Sequence, residues 1–190
     1  MRELVPHPSS DAPTVTSVRA QLWRVAPRTL RLRYELQATA GSCEWPPPAA
    51  APARRDGLWQ HSCCELFLHA GDTPEYLEYN LAPCGDWAAY AFAGYRERAA
   101  GSLQAALVAA PRIQAGSAGN GGLLWLEAEV ELPVALLPGA RAGLCVVVES
   151  APAHALSYWA LAHPRAQPDF HDAAGHLLAI NPHSAQGIPA

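Results

Sequence analysis

The chain of 190 residues contains no lysine; all thirteen basic residues are arginine. That absence removes the P-loop with its phosphate-gripping lysine, and it removes every Schiff-base mechanism. Cationic charge is also outnumbered, thirteen basic residues against seventeen acids for a formal net charge of −4, and no basic run or stripe occurs. A nucleic-acid backbone would have nothing to neutralise it, which excludes nucleic acid as a partner. Methionine occurs once, at Met1. The five cysteines are an odd set without CxxC spacing. No apolar run reaches membrane-spanning length, and the opening "MRELVPHPSSDAPT" lacks the apolar centre of a secretory signal. The expectation is a cytoplasmic protein with free thiols and no membrane contact. Catalytic signatures are missing too: there is no GxSxG elbow and no HExxH helix, and in "GSAGNGG" a leucine stands where the dinucleotide fingerprint requires its last glycine.

Half of the residues are apolar and only 16% charged, the balance of a folded chain able to bury one core. Residues 1–13 read as a loose, proline-rich lead-in and 14–190 as a single domain. "TLRLRYELQAT" (29–39) alternates strictly, with Leu30, Leu32, Tyr34 and Leu36 on one face and Arg31, Arg33, Glu35 and Gln37 on the other, the period of a half-buried strand. The preceding "TVTSVRAQLWRV" pairs with it as a hairpin around Pro27. "LLWLEAEVEL" (123–132) alternates in the same way. "GLCVVVES" is a continuous apolar run suited to a central strand, and "LSYWALA" and "HLLAI" supply the last strands. "CEWPPPAAAPARRDG" is a surface excursion, the glycine-rich 115–122 a turn, and 99–110 suits either a helix or a strand. Eight to ten short strands between turn residues predict an all-β, single-domain antiparallel β-sandwich of jelly-roll type.

The stretch "DGLWQHSCCELFLHAGDTPEYLEYNLAPCGDWAAYAF" (56–92) places polar and aromatic side chains within strands. Alternation sets Cys64, Leu66 and Leu68 against Cys63, Glu65 and Phe67, and Leu77, Tyr79 and Leu81 against Glu78 and Asn80. With the apolar sets inward, Glu65, Glu78 and Asn80 share the outer face beside Trp59 and Trp87, and Cys63 is turned outward while Cys64 is buried. An aromatic platform with convergent hydrogen-bonding groups is what a sugar ring requires, since its CH face stacks and its hydroxyls bond. An ordinary solvated face is the plainer alternative for any one of these residues.

The C-terminal "HPRAQPDFHD" offers His163, Asp169 and His171 as candidate metal ligands. The alternative is that Asp169 and His171 hold the backbone of a tight proline loop. His61 and His69 are further ligand candidates on the Glu65 strand.

Trp59-x5-Glu65, "ELFL", "YLEYNLAPCG" with Asn80, "WAAYAF", "YRER" and "LSYWALAHP…PDFH" together resemble the DOMON-like domains, relatives of the family 9 carbohydrate-binding modules, and within them an uncharacterised bacterial branch. The resemblance covers 56–98 and 156–171. It implies a β-sandwich that binds a sugar or haem, has no activity of its own and needs no catalytic cofactor. It makes Trp59 a stacking residue and Glu65 and Asn80 hydrogen-bonding residues. Its second stacking aromatic lies late in the chain, where Trp159 or Phe170 could serve. The departure is Glu78, since those modules carry a basic residue two before the asparagine. The sugar-binding implication makes the protein a non-catalytic small-ligand module. The alternatives are a haem-binding electron-transfer domain, a metal-dependent enzyme on the C-terminal His/Asp loop, and a structural domain whose aromatic stripe packs a partner. Without lysine or an internal methionine, haem would need two histidines.

Overall fold

A computed structural model describes residues 1–10, 14–120 and 122–180, and these form two antiparallel sheets packed face to face. The strands are β1 (Arg2–Pro6), β2 (Val15–Ala26), β3 (Thr29–Ala38), β4 (Cys63–His69), β5 (Tyr76–Leu81), β6 (Trp87–Gly94), β7 (Glu97–Arg98), β8 (Arg112–Ala118), β9 (Leu123–Glu131), β10 (Arg141–Glu149), β11 (Leu156–Ala160) and β12 (Leu178–Ala179). The first sheet runs β8-β9-β3-β2-β1 and the second β1-β11-β10-β4-β5-β6-β7, with β12 beside the start of β10. The fold class expected from the alternating patterns is the one observed.

Between the sheets lie the inward halves of those patterns. Leu30, Leu32, Tyr34 and Leu36 of β3, with Leu124, Leu126, Ala128 and Val130 of β9, meet Cys64, Leu66 and Leu68 of β4 and Leu77, Tyr79 and Leu81 of β5. Burying each leucine contributes about 1.5–3 kcal/mol from desolvation alone. The Tyr34 hydroxyl crosses this core and donates to the Glu65 carbonyl at 2.8 Å, which fixes β4 against the first sheet at the residue whose side chain points the other way. Outside the first sheet the charges pair in a ladder, Arg19–Glu35, Arg33–Glu35, Arg33–Glu127 and Arg31–Glu129, an ordinary solvated face.

Three local expectations change. Residues 2–6 are not part of a loose lead-in: Arg2–Leu4 pair with β2 and Val5–Pro6 with β11, so this short strand closes a corner between the sheets, and buried Leu4 anchors it. Of 115–122, residues 115–118 belong to β8, and the turn is confined to the residues after it. The alanine-rich 99–110 contributes a single helical turn, α1 (Ser102–Ala105). It has no apolar face of its own to bury beyond Leu103 and Leu107, too little to extend a helix.

Candidate functional site

The outer face of the second sheet carries an apolar cluster of its own, with Phe67, Tyr76, Ala88, Tyr90, Phe92, Cys145 and Ala160 buried there. It is covered by the segment after β11. Phe170 packs on Phe67 and Tyr158, and His176 stacks on Phe67 with ring centroids 5.3 Å apart. Gly143 makes this possible, because a Cβ there would lie 2.3 Å from Cδ2 of His176. Where this cover stops, a cleft of about 470 Å³ opens, with Glu65, Phe67 and Glu78 at its floor. Trp59 and Gln60 stand on one side, Pro168, Phe170 and His171 on another, and Arg96, Arg98, Phe92, Tyr158, Leu156 and Val147 complete the wall.

Register explains the floor. Glu65 lies opposite Asn80 and Phe67 opposite Glu78, so the three polar side chains expected to share a face do share it. Asn80 is fully buried and does not line the cleft; its Nδ2 donates to Glu78 Oε1 at 2.7 Å and so orients that carboxylate. Trp59 stands on a 3-10 turn, Leu58–Gln60, opened by Gly57 at φ 81°, a left-handed conformation that suits glycine. The indole packs edge-on against Tyr90 with centroids 6.1 Å apart, and it remains 38% exposed.

Two of the proposed aromatics belong elsewhere. Trp87 begins β6 in phase with Ala89 and Ala91, so it faces the core, with Arg54 stacked 5.3 Å from its ring centre. Trp159 is in phase with Ser157 on β11 and also faces the core, its indole N–H bonded to the Ser157 hydroxyl at 3.1 Å. Of the two late aromatics, Phe170 is the one on the cleft wall. Cys63 is on the outer face as its alternation requires, yet it is buried as completely as Cys64.

The sequence reading also passed over Tyr90, Tyr158 and Arg98. The Arg98 guanidinium lies 3.6 Å from the Tyr90 ring centre and 5.0 Å from that of Phe92. Strand β7 thereby sets a cation beside Glu78, where the resemblance led one to expect a basic side chain on β5. The motif "YRER" was the available signal.

The candidate metal ligands do not converge. His163 Nε2 bonds to the Val5 carbonyl at 2.9 Å. Asp169 accepts from the His171 amide, from Arg96 and from the Tyr95 hydroxyl, pinning the loop to the β6–β7 turn. His171 Nδ1 faces the Tyr76 hydroxyl at 2.8 Å. No group of three or more His, Cys, Asp or Glu among the described residues is arranged to hold a metal. Nor is His69 free to ligate: Nδ1 faces the Thr73 carbonyl at 3.1 Å and Nε2 faces His176 Nδ1 at 3.1 Å. His176 Nε2 in turn faces the Phe170 carbonyl at 2.9 Å. Three hydrogen bonds along this row need three ring protons, one more than two neutral imidazoles hold. Burial opposes the extra proton, holding His176 down to about 4. His61, the remaining candidate, bonds to Glu149.

Burial governs the charges in the cleft. It pushes Glu65 well above the usual carboxylate range, and the Glu78 charge adds to the shift. Burial also raises Glu78, while the Asn80 hydrogen bond, Arg98 and Arg96 pull it back. Glu78 is thus the residue of the pair that ionises first, and Glu65 keeps its proton longer. Burial, then Arg96, lowers His171 to about 4. Its Nε2 lies 3.8 Å from Glu78 Oε2, so near neutral pH the contact is polar and not an ion pair. Two buried oxygens, Glu65 Oε1 and Asn80 Oδ1, have no hydrogen-bond partner among the described residues. An unsatisfied buried group of this kind costs about 1–3 kcal/mol. In chemical terms the cleft offers a buried carboxyl that burial disposes to keep its proton, a second carboxyl drawn back towards ionisation by Asn80, Arg98 and Arg96, a guanidinium and flanking aromatic rings.

No protein-family model and no curated protein sequence matches the chain. Among solved structures it is similar to a candidate carbohydrate-binding protein from Bacteroides uniformis, with a TM-score of 0.61 at 16% identity over 84% of this chain and 76% of that one. It is also similar to a family 9 carbohydrate-binding module from Caldicellulosiruptor kristjanssonii in complex with glucose, with a TM-score of 0.48 at 13% identity over 84% and 73%. At such identity what the chain shares with the Bacteroides uniformis protein is the β-sandwich fold.

Proposed function

We propose that this domain is a non-catalytic, DOMON-like module of the cytoplasm that binds a carbohydrate in the cleft on the outer face of its second sheet. The observation that carries the reading is Glu65. The residue is 3% exposed, lines the cleft and leaves Oε1 without a partner among the described residues. A ligand hydroxyl supplies the missing bond. Glu78, oriented by Asn80, accepts from further hydroxyls. Trp59 presents an exposed indole for the apolar face of a sugar ring, with Phe170 across the cleft. A volume of about 470 Å³ suits a small molecule. The fold shared with the Bacteroides uniformis protein, itself described as a candidate carbohydrate binder, is consistent with this reading.

The experiment is a calorimetric screen of mono- and oligosaccharides against the parent protein, Trp59→Ala and Glu65→Gln. Loss of the indole should weaken binding about tenfold, the equivalent of ~1.4 kcal/mol. Glu65→Gln should weaken it while leaving the fold intact, and the sugar should be recovered unchanged after incubation. A sugar whose affinity neither change alters would place the site elsewhere.

A further inference from the structure

A second cleft, of about 600 Å³, lies on the other side of the Leu58–Gln60 turn and shares Gln60 with the first. Its centre is Glu149, whose side chain is 10% exposed. Glu149 Oε2 faces His61 Nδ1 at 2.8 Å and Oε1 faces His154 Nδ1 at 2.7 Å. The Glu149 amide donates to the Ser62 hydroxyl at 3.0 Å, which steadies the strand end that carries the carboxylate. Because an ionised carboxylate only accepts, each ring must donate from Nδ1, which leaves Nε2 directed away from Glu149 and open to a ligand. Neither Nε2 has a partner among the described residues, and both rings are about two-thirds exposed. The wall therefore presents polar groups gathered around one carboxylate, and it fits a ligand rich in hydroxyls. No Trp, Tyr or Phe lines it, so the broad stacking surface that Trp59 offers the first cleft has no counterpart there.

Gln60 stands between the two clefts, exposed, and its side-chain amide makes no hydrogen bond among the described residues. A side-chain amide that donates and accepts is suited to bridging neighbouring units of one ligand.

Resting on the sugar-binding reading of the first cleft, we infer that the ligand is an oligosaccharide and not a single sugar. One unit sits against Trp59 and Glu65, the chain crosses Gln60, and a further unit bonds its hydroxyls to the polar groups around Glu149. Most of the affinity resides in the first cleft, where ring stacking and the buried acceptor are; the second adds length selectivity.

The test is calorimetry, in the presence of a chelator, on linear glucans, xylans, mannans and galactans from monosaccharide to hexasaccharide. Proteins are the parent, His61→Ala and His154→Ala, exposed positions whose unchanged melting temperature verifies the fold. In one series, affinity should rise about tenfold between the monosaccharide and the trimer or tetramer. That increment should shrink to within about twofold in either variant, with monosaccharide affinity retained. A monosaccharide that binds through Trp59 with no gain on lengthening overturns this inference and leaves the first-cleft reading standing. So does a length gain that both histidine variants keep. If no sugar of any length binds, both fail together.

Discussion

Replacing Gly143 by alanine sets two opposing effects against each other, and the structure decides between them. A glycine inside a strand is ordinarily less favourable than alanine by about 0.5–1 kcal/mol, so the substitution would normally stabilise. Here the new Cβ would stand 2.3 Å from Cδ2, 3.1 Å from Nε2 and 3.2 Å from Cγ of His176. Comfortable carbon contacts begin near ~3.5 Å, so the ring must retreat by roughly 1 Å. It cannot do so freely, being stacked on Phe67 and bonded to His69 and to the Phe170 carbonyl. Overpacking of this kind costs about 1–3 kcal/mol, which exceeds the backbone gain. The expected outcome is a net loss of about 1–2 kcal/mol, or a fall of ~2–8 °C in Tm for a chain of this size. Urea and thermal unfolding would measure it. A double-mutant cycle supplies the internal control: with His176→Ala already present, Gly143→Ala should cost nothing further. Since Phe170 and His171 belong to the same covering segment and wall the cleft, the single variant should also weaken ligand binding. A Gly143→Ala protein as stable as the parent, or more so, would refute the claim that this segment is seated through His176.

Trp87→Ala should cost about 3–5 kcal/mol of stability as a core truncation, yet leave ligand affinity unchanged in whatever fraction remains folded; calorimetry at low temperature separates the two. His171 and His176 both have a folded pKa of about 4 against an ordinary 6.5. The unfolded chain therefore binds more protons below pH 6.5, and their contribution to stability, full above that value, is lost as pH falls from 6.5 to 4. Glu65 and Glu78, raised in the folded state, act with the opposite sign above the ordinary carboxylate range. In Glu65→Gln the largest of these opposing shifts is gone, and urea midpoints should climb from pH 4 to 6.5; a flat or falling profile would contradict the buried, neutral histidines.

Much of the sandwich was legible because half its strands are buried on one side only. In β3 and β9 every second residue is apolar, and one phase alone can face a core. The same logic placed Glu65, Glu78 and Asn80 together, since leucines and Tyr79 fill the other phase of β4 and β5. It failed where both phases are apolar. In "WAAYAF" and "LSYWA" aromatics occupy both faces, alternation is silent, and the face is decided by pairing with β5 and β10. Tyr90 and Tyr158 were thereby missed while Trp87 and Trp159 were chosen. Cys63 was expected to be exposed because alternation gives the face on which a residue stands and not what covers that face. Leu4, the one inward residue of β1, is too short a pattern to mark a strand among prolines.

The central claim is that Trp59 is the ring on which a ligand rests. The most direct measurement is the indole N–H region of a nitrogen-15 NMR spectrum during titration with the tightest-binding sugar, with the Trp59 signal assigned by its loss in Trp59→Ala. The account predicts that the Trp59 signal moves in a saturable way. The signals of Trp23, Trp87, Trp125 and Trp159, which lie in the core or on the other sheet, should stay in place. Saturable binding with the Trp59 signal unmoved would contradict it.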